Sequence, residues 1–297
     1  MHNNKTKIIY KRYKGQLNTN EDYDELHNFL VSTHNEQYTY ARFDWMMTNR
    51  EYLDDANLDK IGIWKDNNNI VAVVMYDHSL DDVYPIYLSG YEFLFKEMLT
   101  HIENIMMKVN PDISIFVSSK DNKFRQYLSD NGYQSKNYKD TVMRIDLDNL
   151  NDINLPNDYR FVTLSNKDYS DYYRCLYKGF DHEANNDPYN FNEKLMEDSY
   201  ERKYVDLDLK VSILHDKKYI AHCGIWYDTK SDFAIVEPVC VIPEYRNKSY
   251  GRHVVLEGLN RAKIKGAKYA VVGSNSDFYK KIGFKEYLTG EFFYKKQ

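Results

Sequence analysis

The sequence predicts an α/β fold of two tandem, related domains, each a mixed, mostly antiparallel central sheet flanked by helices. Three observations predict it. The chain has 297 residues, and single domains run to roughly 100–150 residues, so two cores fit. Two sequence patterns recur in the same order about 150 residues apart. In the second half an apolar hairpin leads into a strand, a helix and another strand, an order that joins antiparallel to parallel pairing.

The repeat supplies the first elements. Residues 61–77 read IGIWKDNNNIVAVVMYD, and residues 211–228 read VSILHDKKYIAHCGIWYD. Each is a short apolar strand, a polar turn beginning at Asp66 or Asp216, and a second apolar strand, the pattern of a β-hairpin. Residues 127–133 (YLSDNGY) and 278–284 (FYKKIGF) form the second pair. Each reads as a short helix closed by Gly132 or Gly283, with an aromatic residue returning the chain to a strand. Residues 146–158 (DLDNLNDINLPND) are polar and carry Pro156, as a linker does. They set the expected boundary between domains 1–150 and 151–297.

The second half has a readable order. Residues 167–180 carry apolar positions near helical spacing after a cap at Ser165 or Asn166. Residues 181–192 (DHEANNDPYNFN) are a polar loop. After the hairpin comes the apolar strand 233–242 (FAIVEPVCVI), then a turn and a helix over 249–265 with Val255, Leu259 and Ala262 on one face. Gly266 can end that helix in the left-handed conformation that glycine adopts without penalty. Residues 269–272 form another strand.

Composition excludes several classes. A hydrophobic fraction of 42% with 15% aromatic residues excludes intrinsic disorder. The 40 basic against 45 acidic residues, a net charge of −5, give no support to a nucleic-acid partner. The basic start, residues 5–14, is too short to change that. Mean hydropathy is −0.72, and no apolar run approaches the roughly 18 residues that span a membrane. Residues 1–10 lack the apolar core of a signal peptide. Three well-separated cysteines, Cys175, Cys223 and Cys240, without CxxC or HExxH spacing, argue against disulfides and a metal site and for a reducing cytoplasm. The 29 tyrosines carry no functional weight by number alone.

The segment that carries chemistry is 239–252, VCVIPEYRNKSYGR. A buried strand ends, a basic turn follows and a helix begins. The first N–H groups of a helix lack intrahelical partners and sit at the positive end of its dipole, a ready cradle for pyrophosphate. Arg246, Lys248 and Arg252 add positive charge, and Gly251 removes a Cβ where phosphate would approach. The plainer reading is an ordinary strand–turn–helix with solvated basic residues.

With this turn the second half resembles the GCN5-related N-acetyltransferases, the GNAT superfamily. That family's acyl-CoA loop, Arg/Gln-x-x-Gly-x-Gly/Ala after a strand ending in Val-x-Pro, appears here as Val241-Ile-Pro243-Glu-Tyr-Arg246-Asn247-Lys248-Ser249-Tyr250-Gly251. The family's Phe-Tyr-x-x-x-Gly-Phe appears as Phe278-Tyr279-Lys-Lys-Ile-Gly283-Phe284, preceded by Asn275. One departure is that Ser249 stands for the first loop glycine, which implies weaker binding. In the first half the matching region, 82–96, offers only Ser89-Gly90 without an arginine before it, and Leu128 stands where Tyr279 does. A duplicated first domain would then have lost its cofactor site.

The resemblance implies acetyl-CoA as co-substrate, with the strand backbone of Val239, Cys240 and Val241 orienting the thioester. The loop 246–252, including Asn247 and Tyr250, would hold pyrophosphate, and Asn275 and Phe278 would flank the pantetheine arm; Asn275 can alternatively cap a helix. Glu237 lies inside a run expected to be buried on both sides, where a carboxylate is costly unless paired or functional. It is the candidate general base, or else half of a buried ion pair. Pro238 beside it implies a bulge or opening in the strand. Tyr279 is the candidate general acid for the departing thiolate. His222 reads as a core histidine and Cys240 as a small buried hydrophobe. His182 and Glu183 lie where the family grips acceptors, or are simply surface residues.

The expected activity is direct acetyl transfer to a primary amine of a small molecule or peptide, by a monomer or homodimer, without metal. The alternative is a non-catalytic acyl-CoA-binding regulatory protein. Aminoacyl transfer from charged tRNA would want a basic groove, which the net charge disfavours.

Overall fold

The computed structural model describes residues 7–14, 21–48 and 55–296. Residues 1–6 of the expected non-signal start, and with them residues 5 and 6 of the basic stretch, lie outside the described residues. Two compact units emerge. One is Met1–Thr141 with Leu288–Gln297, and the other is Val142–Tyr287. The division differs from 1–150 and 151–297 at both ends, because the strand after each unit's last helix crosses the boundary.

Each unit is built in one element order. The first runs β1 (Ile8–Arg12), α1 (Glu21–Thr33), α2 (Tyr40–Thr48), β2 (Gly62–Asp66), β3 (Asn69–Asp77), β4 (Ser79–Tyr87), α3 (Phe95–His101), β5 (Ser114–Ser118) and α4 (Asn122–Asp130). Then β6 (Tyr133–Asp146) leads to the second unit. That unit runs β7 (Arg160–Thr163), α5 (Tyr169–Gly179), α6 (Glu193–Tyr200), β8 (Lys210–His215), β9 (Lys218–Trp226), β10 (Phe233–Val241), α7 (Tyr250–Ile264), β11 (Tyr269–Val272) and α8 (Asp277–Ile282), followed by β12 (Lys285–Lys295).

Within the first unit β1, β2, β3 and β4 pair antiparallel in sequence, β4 pairs parallel with β5, and the end of β12 closes antiparallel on β5. Within the second, β7 to β10 pair antiparallel in sequence, β10 pairs parallel with β11, and the end of β6 closes on β11. Both hairpin turns place two non-glycine residues at positive φ, Asn67 and Asn68 in one and Asp216 and Lys217 in the other. Consecutive positive φ values match the twist of a two-residue hairpin. In the parallel crossovers, α3 and α7 join strands that cannot be linked by a tight turn.

The helix α7 shows why the second crossover forms. Val254, Val255, Leu259 and Ala262 recur at helical spacing and are all fully buried, each large one contributing roughly 1.5–3 kcal/mol. Gly258 lets the helix settle on β9, since a Cβ there would lie 2.8 Å from Ile225. Arg261 and Lys263 stand in its last turn, favourably placed against the helix dipole, and Gly266 follows at φ 112°.

Two local expectations need correction. The N-cap of α5 is Asp168, whereas Ser165 and Asn166 belong to a separate short turn, Leu164–Asn166. The helix α6 interrupts the stretch before the hairpin; its Asn192 cap accepts from the Leu195 N–H at 3.0 Å, which satisfies one orphan donor of the first turn.

Candidate active site

The site is built where β10 leaves the sheet. Parallel pairing of β10 with β11 spans Phe233–Ile235 only. On its other side, the register with β9 moves from Val236↔Ile225 to Val239↔Cys223. Three steps on β10 match two on β9, so one extra residue is accommodated at Glu237-Pro238, the bulge anticipated from Pro238. Gly224 makes room for it. A Cβ at Gly224 would lie 2.4 Å from the Glu237 carbonyl oxygen. The Trp226 indole N–H donates to that same oxygen at 2.8 Å.

Glu237 is exposed on this bulge, not buried on both sides as expected. The reason is local: its neighbours Val236 and Pro238 are buried, but the extra residue turns this one position out of the alternation. A buried ion pair is therefore not its role. Tyr279 lies on α8 and is half-buried, its ring 5.4 Å from Phe284 and 4.9 Å from Phe278. Burial pushes the Tyr279 phenol well up, and the negative charge of Glu237 acts in the same direction. The phenol and the Glu237 carboxylate are thus in electrostatic reach of one another, and the phenol stays protonated through the neutral range.

Beyond the bulge, Val239 and Val241 are half-buried and Cys240 is buried, facing α5 with its Sγ 4.0 Å from Cys175 Sγ. Burial of Cys240 fits its reading as a small hydrophobe. The following turn carries Asn247 at φ 61° and Ser249 at φ 65°. Ser249 is the N-cap of α7 and its side chain makes no capping bond. The position holds left-handed backbone, a conformation that glycine adopts at less cost than serine. Tyr250, Gly251 and Arg252 open the helix, so their N–H groups have no carbonyl one turn back. Gly251 proves to be a packing position as well: a Cβ would meet Phe278 at 3.1 Å and Val241 at 3.2 Å.

The basic residues divide. Arg246 was expected to face phosphate. Its guanidinium instead donates to the Val241 carbonyl (3.1 Å), the Gly179 carbonyl (2.9 Å) and the Asp181 carboxylate (2.8 Å). It thereby ties the end of β10 to the C-terminus of α5. Lys248 donates to the Glu244 carbonyl at 3.1 Å and lies over Tyr245, while Arg252 is half-buried on α7. Asn275 is exposed in the connection before α8, whose N-cap is Ser276, so Asn275 does not cap it.

The remaining candidates separate cleanly. His222 is fully buried, 2.9 Å from Ser212 Oγ through Nδ1, and burial pushes it down to about 3; it is a neutral core residue. His182 pairs with Asp187 at 2.7 Å and Glu183 with Lys178 at 3.0 Å, both on the loop after α5. Sequence reasoning missed Gly224, Trp226 and Lys210. A glycine inside an apolar strand was the available signal for the bulge.

Among the described residues no cluster of three or more His, Cys, Asp or Glu is arranged to hold a metal ion, and no helix is long and apolar enough to cross a membrane.

Residues 169–284 match the sequence model of the acetyltransferase (GNAT) family. Among solved structures, a tandem GNAT protein from the clavulanic acid biosynthesis pathway superposes with a TM-score of 0.59 at 12% identity, over 97% of this chain and 98% of its own. A GCN5-related N-acetyltransferase from Sphaerobacter thermophilus gives 0.58 at 12% identity over 96% and 94%. A GNAT-family acetyltransferase from Colwellia psychrerythraea gives 0.58 at 12% identity over 97% and 100%. At such identity these likenesses speak for the fold, which extends over nearly the whole chain. No curated protein sequence matches it.

Proposed function

We propose that this protein, whose residues 169–284 match the acetyltransferase (GNAT) family, is an acyltransferase that moves an acetyl group from acetyl-CoA directly to a primary amine of a small molecule or peptide. The observation that carries this reading is the bulge in β10, which turns the Glu237 carboxylate out of the strand, followed by a turn with left-handed Asn247 and Ser249 that opens the N-terminus of α7. The open N-terminus of α7 lies just beyond the end of the same strand.

The residues fit the co-substrate. The helix N-terminus offers N–H donors and the positive end of a dipole to pyrophosphate. The left-handed Asn247 and Ser249 turn the chain so that the loop can wrap an anion. Arg246 holds the loop in place through main-chain carbonyls rather than supplying the main charge to phosphate.

In the reaction Glu237 takes a proton from the acceptor ammonium. The freed nitrogen attacks the thioester carbonyl, the C–N bond forms, and the resulting oxyanion is met by strand N–H groups near Val239–Val241. The C–S bond then breaks, Tyr279 gives its proton to the sulfur, and the second proton of the new C–N nitrogen returns to the phenolate, so that ammonium and thioester become amide, free thiol and the one proton held by Glu237. The two groups are coupled: the negative charge of Glu237 helps hold the Tyr279 proton.

The first unit takes no acetyl-CoA in this reading. After β4, the Gly90 N–H donates to the Glu92 carboxylate at 2.9 Å, and Glu92 also pairs with Lys123 at 2.6 Å. Lys123 holds that carboxyl below its usual range, so a negative charge already stands where a phosphate would come. Leu128 on α4, at the place of Tyr279, is fully buried and has no proton to give.

The test is amine-dependent release of free thiol from acetyl-CoA by the full chain, across amino acids, peptides and polyamines, with the acetylated amine identified by mass. Thiol release with an acetylated amine supports the reading. Acetyl-CoA binding without turnover on any amine would leave a binding protein instead.

A further inference from the structure

Two buried residues on β8 and β9 converge on the bulge from the side opposite α7. Trp226 is 3% exposed, and its indole N–H is the donor to the Glu237 carbonyl at 2.8 Å. The register with β9 passes over Glu237 and Pro238, so this carbonyl is taken from the ladder and given to a side chain. Lys210 is 1% exposed, unusual for an ammonium. Its Nζ lies 3.3 Å from the centre of the Trp226 ring and donates to the Ile225 carbonyl at 2.9 Å. Burying such a charge is costly unless something in the fold compensates it. A cation over an indole face is a strong compensation when water is excluded.

We propose that Lys210 and Trp226 are positioning residues for acyl transfer, a relay that pins the main chain of Glu237 and so fixes the direction in which its carboxylate leaves the strand. The ammonium draws electron density from the indole face. The N–H becomes a stronger donor and the bond to the Glu237 carbonyl tightens. Gly224 completes the device by letting the bulge carbonyl approach to a distance that a Cβ would forbid. This assignment rests on the reading of Glu237 as the base.

Two substitutions in the full chain test it. Trp226→Phe keeps a ring under Lys210 and removes the N–H. Lys210→Met keeps the apolar stem and removes the charge. Losing one hydrogen bond that holds the base lowers kcat by roughly three- to ten-fold. KM for acetyl-CoA stays unchanged, and the acid limb of the pH–rate profile shifts as the surroundings of Glu237 relax. Lys210→Met shows the same direction with a smaller drop in kcat, read at a temperature where the variant is fully folded. A merely structural lysine would lose stability and activity together. In a Glu237→Gln background Trp226→Phe has no further effect on kcat, since the residue it positions no longer works. Should Trp226→Phe fail to fold, Lys210→Met carries the test alone. Wild-type kcat and pH profile in the variant that folds overturn the relay. If Glu237→Gln itself turns over at full rate, the reading of the base has failed instead, and the two failures are told apart.

Discussion

The turn after β4 and the turn after β10 occupy the same place in two copies of one element order, and they use their main-chain N–H groups in opposite ways. After β10 two non-glycine residues are held left-handed, and the first N–H groups of α7, a helix of 15 residues, are left open. After β4 a glycine takes the left-handed position, its N–H is closed by Glu92, and a 3-10 turn, Glu92–Leu94, stands before α3. Beside the turn after β4 lies an open cleft of about 570 Å³, lined by Pro85, Ile86, Tyr87, Glu92, Ser118 and Asp121 among others. In both units the parallel pairing is short, so both sheets open at this edge. The sheet order is maintained by many buried apolar positions, whereas the proposed anion site depends on one turn, so in the proposed reading a few substitutions there separate the two units.

The largest effect expected from breaking this difference is on chemistry. Glu237→Gln keeps the shape of the side chain and cannot accept the proton, so turnover falls by roughly 10²–10⁴-fold. Because the side chain is exposed, melting temperature and acetyl-CoA affinity stay at wild-type values, as calorimetry would read them. Full turnover would mean that the second unit's bulge has no more chemical role than the first unit's strand.

Acid sharpens the comparison in the cores. His222 in the second unit is pushed down to about 3, and His101 in the first to about 4, both chiefly by burial. A folded-state value below the unfolded one of about 6.5 means that the unfolded chain binds the proton more readily. Stability contributed by the neutral ring is therefore complete above pH 6.5 and is lost as pH falls toward 4 for His101 and toward 3 for His222. His101 has partners on both nitrogens, Tyr10 at 2.9 Å and the Lys60 carbonyl at 2.7 Å, while Nε2 of His222 is buried without one. Replacing His222 by Phe should remove part of the acid sensitivity, on the order of a few kcal/mol between neutral pH and pH 4. Identical acid unfolding curves for wild type and variant would exclude it.

What was legible before the structure follows the same division. The two hairpins, β10, α7 and β11 were readable because the strands are short apolar runs, the helix has apolar residues at helical spacing, and their ends carry turn residues. The helix α6 was not, since its eight residues, EKLMEDSY, hold too few apolar positions to show a period. The exposure of Glu237 was hidden because alternation cannot show where an inserted residue shifts the register. Two partners of Arg246, Gly179 at the end of α5 and Asp181 just past it, lie more than sixty residues earlier in the chain, a distance that no local pattern reports. The strands that cross the unit boundary were hidden for the same reason: pairing partners of β6 and β12 are far away in sequence.

A smaller effect comes from filling the two loop glycines. At Gly251 a Cβ would press on Phe278 and Val241, whereas at Gly90 it would meet nothing within 4 Å. Overpacking of this kind costs about 1–3 kcal/mol. Gly251→Val therefore weakens acetyl-CoA binding by roughly ten-fold, read by the ligand-induced thermal shift, and Gly90→Val leaves that binding unchanged. Equal losses from both would place the co-substrate in both units.

The smallest effect tests the departure at Ser249. Holding a residue with a Cβ in the left-handed region costs about 1 kcal/mol or more, and glycine escapes that cost. Ser249→Gly removes the strain at φ 65° but makes the unfolded chain freer, which returns about 0.4–1 kcal/mol to the unfolded state. The two terms nearly cancel, so stability should change by less than about 1 kcal/mol. The loop, however, relaxes into the conformation that the bound anion requires, and acetyl-CoA affinity should rise by a few fold. Asn247→Gly is the internal control. Asn already tolerates the left-handed region better than Ser does, so relief at φ 61° is smaller and the entropic loss is the same, giving a net fall in stability with no gain in affinity. Measured together by denaturant titration and calorimetry, the pair isolates backbone strain from side-chain contact. If Ser249→Gly instead weakens binding, the hydroxyl itself contacts the phosphates, and the serine is a ligand rather than a glycine position imperfectly filled.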